Sequence, residues 1–209
     1  MSFPDETTGI GADVCVGADT RADTRAGAGA GADTGAGADL GAVSAFRPVP
    51  DVLAHLAGEW RVERTVRDLT DGSEGRFTGT VLFSPLPAPD TGGLLHHESG
   101  TFTWHGTARP AERTLRFLPG EERGTARVEF ADGRFFHDLD LRTGSWTADH
   151  PCVRDLYRGE FEVTGSDSWR TRWRVGGPAK DLLLVTEYRR TRRLTGCRAP
   201  SSSPGSPGP

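Results

Sequence analysis

Apolar and polar residues alternate with a period of two from Trp60 almost to the end of the chain. In the first run, Trp60, Val62 and Val66 are separated by charged residues and Thr65. Similar runs follow at 77–83, 94–106, 113–120, 125–133, 134–141, 142–151, 152–163, 168–175 and 182–193. Gly-containing turns separate them every 8 to 15 residues. Short alternating runs between such turns are typical of antiparallel strands joined by hairpins.

One short helix is predicted ahead of the first strand. Apolar residues recur at helical spacing over 52–57, after Pro50 and Asp51 and before Gly58. Proline near the start of a helix and glycine after its last turn are the usual asymmetry of helix ends. The pattern predicts an all-β fold with this single helix. We expect an up-and-down antiparallel β-barrel, which hides every sheet edge, and a β-sandwich is the alternative.

The two ends of the chain differ in composition from the strand-forming part. Residues 1–45 consist largely of Gly, Ala, Asp and Thr, and residues 197–209 largely of Ser, Pro and Gly. These segments have few large apolar side chains, so burial cannot offset the entropy lost when they become ordered. We therefore predict disordered tails at 1–45 and 197–209, with one barrel domain at 46–196. A domain of about 150 residues is large enough for a core of its own.

The distribution of charge argues against one class of partner. The first 45 residues contain seven acidic and two basic residues, and the remainder contains 22 acidic and 23 basic residues. The formal net charge of −4 is therefore a property of the N-terminal tail. A near-neutral domain lacks the basic surface that nucleic acid requires, so we expect no nucleic-acid partner. The oligomeric state is left open.

Cysteine usage and the N-terminal sequence predict a cytoplasmic protein. Cys15, Cys152 and Cys197 are odd in number and widely spaced, so they do not indicate a disulfide framework. The chain begins without the basic and apolar regions of a signal peptide. Its apolar runs are shorter than the roughly 18 residues of a membrane helix. We expect a soluble protein without a membrane span.

Two sequence patterns resemble known families. The helix that runs into Gly58–Trp60 resembles the G-x-W signature of calycins, the lipocalin and fatty-acid-binding-protein group. In those barrels an arginine near the end of the last strand packs over the tryptophan, which implies that role for Arg189 or Arg190. The runs at 56–68, 128–161, 169–181 and 186–190 are similar to domain-of-unknown-function family 6314, a group of lipocalin-like domains. This resemblance implies the barrel fold and assigns no reaction.

The alternation also predicts which side chains face the barrel interior. In the run 134–141, Phe135 and His137 share the inward face and Phe136 faces outward. The predicted interior comprises Trp60, Phe77, Phe83, Trp104, His137, Asp155, Tyr157, Trp169 and Trp173, with Arg64, His96 and Glu98 as further candidates. Aromatic walls with a few polar groups are the usual composition of ligand sites, and a barrel of about eight strands encloses one small ligand.

This interior predicts a small-molecule-binding barrel whose ligand is hydrophobic or amphipathic, with a polar or anionic end. His137, Asp155 and Tyr157 would orient that end by hydrogen bonds. Arg64 would pair with a carboxylate. The cavity would be lined by Trp60, Trp104, Trp169 and Trp173. Lys180, the only lysine in the chain, is a candidate for the rim of the site. The sequence indicates no particular cofactor.

Other interpretations of the same residues stay open. Asp155 and His137 would also fit a satisfied core network, because a buried carboxylate without a partner is costly. An enzyme would use His137, Cys152 or Asp155 in the pocket, with Cys152 as a thiolate nucleophile. A third alternative is a filled-barrel interaction scaffold with a basic docking edge at 187–193.

His150 and Cys152 are a weak candidate for a metal site. The two residues are two positions apart, so on a strand their side chains would point the same way. Both residue types are ligands of zinc or copper. Pro151 argues against this interpretation, because proline is poorly tolerated within a central strand. We therefore expect no metal, with this pair as the exception to test.

Overall fold

The structure, a computed structural model, describes residues 46–89, 92–152 and 154–192. Its elements are α1 (Val52–Leu56), β1 (Gly58–Asp68), β2 (Glu74–Pro85), β3 (Leu94–Trp104), β4 (Thr107–Pro119), β5 (Ala126–Phe130), β6 (Phe135–Leu139), β7 (Ser145–Cys152), β8 (Asp155–Gly165), β9 (Ser168–Gly177) and β10 (Lys180–Arg192). The predicted tails at 1–45 and 197–209 lie outside the described residues. Within the described ranges, no helix has the length and apolar character needed to cross a membrane.

The strands form one antiparallel sheet in which neighbours in sequence are neighbours in space. The strand order is β6-β5-β4-β3-β2-β1-β10-β9-β8-β7. The first and last strands, β1 and β10, pair from Glu59 opposite Arg192 to Asp68 opposite Leu182. This pairing brings the sheet round until its two end strands, β6 and β7, meet. The predicted up-and-down barrel is confirmed, and ten strands form it within the described residues.

Side chains close the seam between β6 and β7. The indole Nε1 of Trp146 on β7 donates to the backbone oxygen of Asp138 at 2.8 Å. Phe136 on β6 contacts His150 on β7, and their ring centroids are 5.1 Å apart. β6 and β7 are the two ends of the hydrogen-bonded sheet. The barrel is therefore nearly closed, by backbone ladders around most of its circumference and by side chains at this seam.

Helix α1 covers one end of the barrel. The Asp51 carboxylate caps the helix by accepting a hydrogen bond from the backbone N of Ala54 at 3.0 Å. Val52 and Leu56 are fully buried in the core. The indole Nε1 of Trp60 donates to the backbone oxygen of Leu56 at 2.7 Å. The apolar side chains of the helix thus close the end at which β1 begins.

Arg190 ties this closed end together, in the role that the calycin resemblance implied for Arg189 or Arg190. Its guanidinium lies over the Trp60 ring, 3.9 Å from the ring centroid. Its Nη1 donates to the backbone oxygen of Ala57 at 2.9 Å, and its Nη2 donates to the backbone oxygen of His55. Carbonyls at the end of a helix have no partner within the helix, and Arg190 supplies one. Arg189 is exposed on the outer face.

The predicted alternation is wrong at the start of β6. We expected Phe135 to face inward, but it is 42% exposed, and Phe136 is buried instead. His137 lies opposite Val128 on β5, whereas Phe135 lies opposite Glu129, so β6 contains one extra residue at this point. Such a β-bulge changes the face to which the following side chains point. Phe136 and His137 consequently both face the interior.

Pro151 does not interrupt its strand, contrary to our expectation. β7 runs through Pro151 to Cys152, and Pro151 lies opposite Leu156 on β8. β7 is an end strand of the sheet. Proline is tolerated on such a strand because its missing N–H removes no bond from a central ladder. His150 and Cys152 therefore lie on the same strand.

Candidate functional site

The end of the barrel opposite α1 is more exposed to solvent than the end that α1 covers. At this end many inward-facing side chains are only half buried, although Val66 and Val175 are buried, whereas those next to α1 are buried. The half-buried inward residues are Phe102, Trp104, Ala111, Arg113, His150, Tyr157, Trp173, Leu182 and Leu184. Part of each of these residues is accessible to solvent. They form the wall of a cup, and that name is used below for this set of residues.

A buried ion pair crosses the interior between β1 and β3. Arg64 donates from Nη1 and Nη2 to the two carboxylate oxygens of Glu98, at 2.8 and 2.6 Å. Its Nε donates to Thr186 Oγ1 on β10 at 2.8 Å. Arg64 and Glu98 face inward as predicted. The expected pairing of Arg64 with a ligand carboxylate is corrected, because Glu98 already balances its charge in a bidentate pair.

Arg113 on β4 is a second interior guanidinium. Its Nη2 lies 3.7 Å from Glu98 Oε2, and its side chain is 24% exposed. The Nε of Arg113 is buried and has no hydrogen-bond partner. With Arg64 and Glu98 it gives two positive charges and one negative charge, a net charge of +1. Arg64, His96, Glu98 and Arg113 are called the interior charge cluster below.

The charge states of this cluster are fixed at neutral pH. Burial, assisted by the charge of Arg113, lowers the pKa of His96 to about 3. Burial alone would raise the pKa of Glu98, but Arg113 and Arg64 outweigh it and lower the pKa to about 2. His96 is therefore neutral and Glu98 ionised. The Nδ1 of His96 is buried without a hydrogen-bond partner.

An aromatic wall, formed by Phe136, His137, Phe161 and Trp173, faces the interior from β6, β8 and β9. Phe136 stacks on Trp173 with centroids 5.2 Å apart and ring planes inclined by 13°. His137 packs against Phe161 and Trp173 at centroid distances of 5.1 and 5.4 Å. Burial lowers the pKa of His137 to about 4, and its Nδ1 lies 2.9 Å from the backbone oxygen of Asp138. His137 is thus an inward-facing, neutral part of this wall.

Asp155 and Lys180 form an ion pair at the rim of the cup. Lys180 Nζ lies 2.6 Å from Asp155 Oδ2 and 5.8 Å from the ring centroid of Tyr157. Burial would lower the pKa of Lys180, but Asp155 and Tyr157 outweigh it and raise the pKa. Lys180 is the partner that the carboxylate of Asp155 requires. The alternative of one core network shared by Asp155 and His137 is not what the structure shows, because Asp155 pairs with Lys180 and His137 Nδ1 lies near the backbone oxygen of Asp138.

The four tryptophans predicted to line the cavity divide between the two ends of the barrel. Trp60 and Trp169 are buried at the closed end, in a T-shaped contact with centroids 6.2 Å apart. Trp169 also stacks on Tyr188 at 3.8 Å. Because α1 fills that end, these two residues form the floor of the core, which corrects their predicted role. Trp104 and Trp173 belong to the cup.

His150 and Cys152 do not act as a ligand pair in this structure. Cys152 is buried and disulfide-bonded, an arrangement that the sequence did not lead us to expect. Its sulfur is consequently neither a thiolate nucleophile nor a metal ligand. The ring of His150 contacts those of Phe136 and Tyr157, with centroids 5.1 and 6.0 Å apart. Across residues 46–89, 92–152 and 154–192, no three His, Cys, Asp or Glu side chains are grouped to hold a metal ion.

The sequence family follows from a match over most of the barrel. Residues 56–190 match a family of unknown function, DUF6314. The chain belongs to that family. The resemblance to family 6314 inferred from the sequence is thereby confirmed. A comparison of this DUF6314 chain with curated proteins gives no match.

Solved structures similar to the DUF6314 barrel include an S-type phycobiliprotein lyase from Guillardia theta. The TM-score is 0.55 at 9% identity, over 74% of this chain and 99% of the lyase. A DUF3598 protein of unknown function from Nostoc punctiforme has a TM-score of 0.49 at 18% identity, over 72% of this chain and 53% of that one. A de novo designed fluorescence-activating β-barrel has a TM-score of 0.36 at 20% identity, over 67% and 97% of the two chains. At these identities, the likeness to the lyase shows the fold alone.

Arg113 and Thr186 are polar interior residues of this DUF6314 chain that the sequence analysis missed. Arg113 has the same strand parity as the buried residues Leu115 and Phe117. Thr186 has the same parity as Tyr188, which is also buried. The alternation therefore contained the signal for both residues. It was overlooked because an arginine and a threonine in a strand are more often exposed.

The buried histidines predict a loss of stability in mild acid. His96 and His137 have pKa values of about 3 and 4 in the folded chain, below the value of about 6.5 expected when unfolded. As the pH falls from 6.5 to 4, the unfolded chain takes up protons that the folded chain does not. The free energy of unfolding therefore decreases. Each histidine contributes about 1.4 kcal/mol per pH unit in this window.

Urea titrations of the wild type and His137→Phe between pH 4 and 7 measure this slope. We expect the slope of the free energy of unfolding against pH to be smaller in the variant by about 1.4 kcal/mol per pH unit. Val128→Ala, which alters the residue opposite His137 on β5, is the control. It should lower stability at every pH and leave the slope unchanged. Equal slopes in the wild type and His137→Phe would contradict the neutral, buried state of this histidine.

Proposed function

We propose that the protein binds a small molecule with a largely apolar body and an anionic end in the open half of its barrel. The observation that carries the proposal is the unbalanced charge of Arg113. Glu98 is engaged by both guanidinium ends of Arg64, and Arg113 Nε has no hydrogen-bond partner. A partly buried charge is costly unless it is paired. A ligand carboxylate or sulfonate would supply the missing negative charge.

The composition of the cup supports an apolar body for the ligand. Most of its inward side chains are aromatic or aliphatic, and its polar groups are few. Such walls with a small number of polar groups are the usual composition of small-molecule sites. The rim pair of Asp155 and Lys180, with Tyr157 beside it, would offer hydrogen bonds at the outer end of the ligand. The position of Arg190 over Trp60 further supports a calycin relationship for the barrel.

The alternatives have weaker support. Catalysis by a Cys152 thiolate would require reduction of its disulfide, and His137 is packed between aromatic rings. A filled-barrel scaffold would require the inward side chains to be buried at both ends, but those of the cup are half buried. We therefore place binding ahead of catalysis and of a purely structural role.

A pair of fluorescent probes that differ by one sulfonate group tests the proposal. The full chain should bind 1-anilinonaphthalene-8-sulfonate more tightly than its uncharged analogue N-phenyl-1-naphthylamine. Arg113→Met should weaken binding of the sulfonate at least about tenfold, because a charge-assisted hydrogen bond contributes about 1.5–3 kcal/mol. Binding of the uncharged analogue should change less than about twofold. Fluorescence titration measures all four dissociation constants.

Arg61→Met is the matched control, because Arg61 is an exposed arginine on the outer face of β1. It should leave both dissociation constants unchanged, and melting curves should show that each variant is folded. Native mass spectrometry of the full chain adds a search for the natural ligand, as an organic adduct that is lost on denaturation. Failure of both probes to bind, or equal loss of both in Arg113→Met, would contradict the proposal.

A further inference from the structure

Two indole rings of the cup lie against glycines on the neighbouring strands. Trp173 on β9 covers Gly159 on β8, where an added Cβ would lie 2.7 Å from both Cζ2 and Cη2 of the indole and 2.8 Å from Cε2. Trp104 on β3 covers Gly75 on β2, where an added Cβ would meet the indole Cε3 and Cζ3. Real Cβ atoms essentially never approach other heavy atoms within 3.0 Å. Any other residue at either position would displace the indole.

Each indole is part of a nearly parallel aromatic pair. Phe102 stacks with Trp104 at a centroid distance of 5.9 Å and an angle of 19°. Phe136 stacks with Trp173 at 5.2 Å and 13°. Offset stacking at such distances is the favourable geometry for aromatic rings. The two pairs are called the stacking platforms below.

The two stacking platforms lie on different sides of the cup. Three strands, β2, β1 and β10, separate β3 from β9 in the ten-stranded order. Both tryptophans are half buried, so part of each residue is accessible to solvent. A molecule inside the cup would therefore meet aromatic rings on two walls. Arg113, with its unpaired Nε, supplies the positive charge of the same interior.

We infer that the ligand is a planar aromatic or conjugated carboxylic acid, rather than a fatty acid. This inference rests on the proposed function and specifies its ligand class. A planar body can pack against the exposed ring edges of both platforms, and each such aromatic contact adds about 0.5–1.5 kcal/mol beyond burial of apolar area. A flexible acyl chain gains no stacking and loses rotamer freedom when it becomes ordered. Two platforms together therefore favour the planar ligand by about tenfold or more.

Calorimetric titration of the full chain with 1-pyrenebutyrate and with hexadecanoate tests the inference. Both probes are monocarboxylates with a large apolar body, and only the first is aromatic. We expect 1-pyrenebutyrate to bind at least about tenfold more tightly. Trp104→Leu and, separately, Trp173→Leu should each weaken its binding by about threefold to tenfold. Binding of hexadecanoate should change less than about twofold in either variant.

Phe135→Leu is the control, because Phe135 is an exposed aromatic residue outside the cup. It should leave both affinities unchanged. Trp104 lies at the end of β3 and is half exposed, so its variant keeps the test valid if Trp173→Leu fails to fold. Equal or tighter binding of hexadecanoate, unaffected by the indole variants, would overturn the inference and leave the proposed function intact. Failure of both carboxylates to bind would overturn both.

Discussion

Replacing Glu98 by glutamine is expected to lower the free energy of unfolding by about 3–5 kcal/mol, since it leaves a buried charge unpaired. Glu98 accepts two hydrogen bonds from Arg64, whose side chain is almost completely buried. Without the carboxylate, the guanidinium of Arg64 keeps Thr186 as a neutral partner but has no counter-ion. Arg113 would further repel it. Urea unfolding of the wild type and Glu98→Gln at pH 7 measures the loss.

Two further variants separate this effect from a general sensitivity of the barrel. The double variant Arg64→Met/Glu98→Leu should recover most of the lost stability, because removing both charges abolishes the cost of the unpaired one. Arg61→Met breaks the exposed pair of Arg61 and Glu63 on the same strand. It should cost less than about 1 kcal/mol, as surface pairs do. A Glu98→Gln variant as stable as Arg61→Met would show that the interior pair is not desolvated.

Arg190→Met should lower the free energy of unfolding by about 2–4 kcal/mol, from lost charge-assisted hydrogen bonds and a lost cation–π contact. The guanidinium lies 3.9 Å from the Trp60 ring centroid and donates to the carbonyl oxygens of Ala57 and His55. It also pairs with Asp167 at 3.0 Å. The variant keeps the aliphatic stem and loses all of these donors. Urea unfolding, followed by tryptophan fluorescence, reports the change.

Arg189→Met is the matched control, because Arg189 is the exposed neighbour on the same strand. Its stability should stay within about 0.5 kcal/mol of the wild type. Arg190→Lys should fall between Arg190→Met and the wild type, because a lysine retains the charge but cannot donate to two carbonyls in the same planar arrangement. If the two methionine variants are equally stable, Arg190 does not lock the closed end.

Much of the fold follows from strand alternation, because a strand with one buried face repeats every two residues. The runs around Trp60, Phe77 and Trp169 were assigned to the correct face for this reason. The pattern fails at Phe136, where one extra residue in β6 changes the face. The alternation pattern cannot predict such an extra residue, because the position of a bulge depends on the register of the neighbouring strand.

The interior contacts could not be predicted in the same way, because they join residues far apart in the chain. Arg64 bonds Glu98 and Thr186, which are 34 and 122 positions away. Asp155 was expected to need a partner, but alternation alone could not select Lys180 from the groups at the rim. The greater exposure of one barrel end also depends on how side chains from many strands fill a shared space. These partners and the exposure of the barrel end are determined by how all the side chains pack together, which the alternation pattern of one sequence does not describe.

The side-chain seam constrains the circumference of the barrel less than a backbone ladder would. A barrel closed by a continuous ladder widens only when several backbone hydrogen bonds break together. Between β6 and β7, the closing interactions include one bond from Trp146 to Asp138 and the packing of Phe136 on His150. Phe136 also belongs to the stack on Trp173. Phe136 therefore links the seam to the aromatic wall, and a displacement of the Trp173 ring would be passed through Phe136 to the contact with His150.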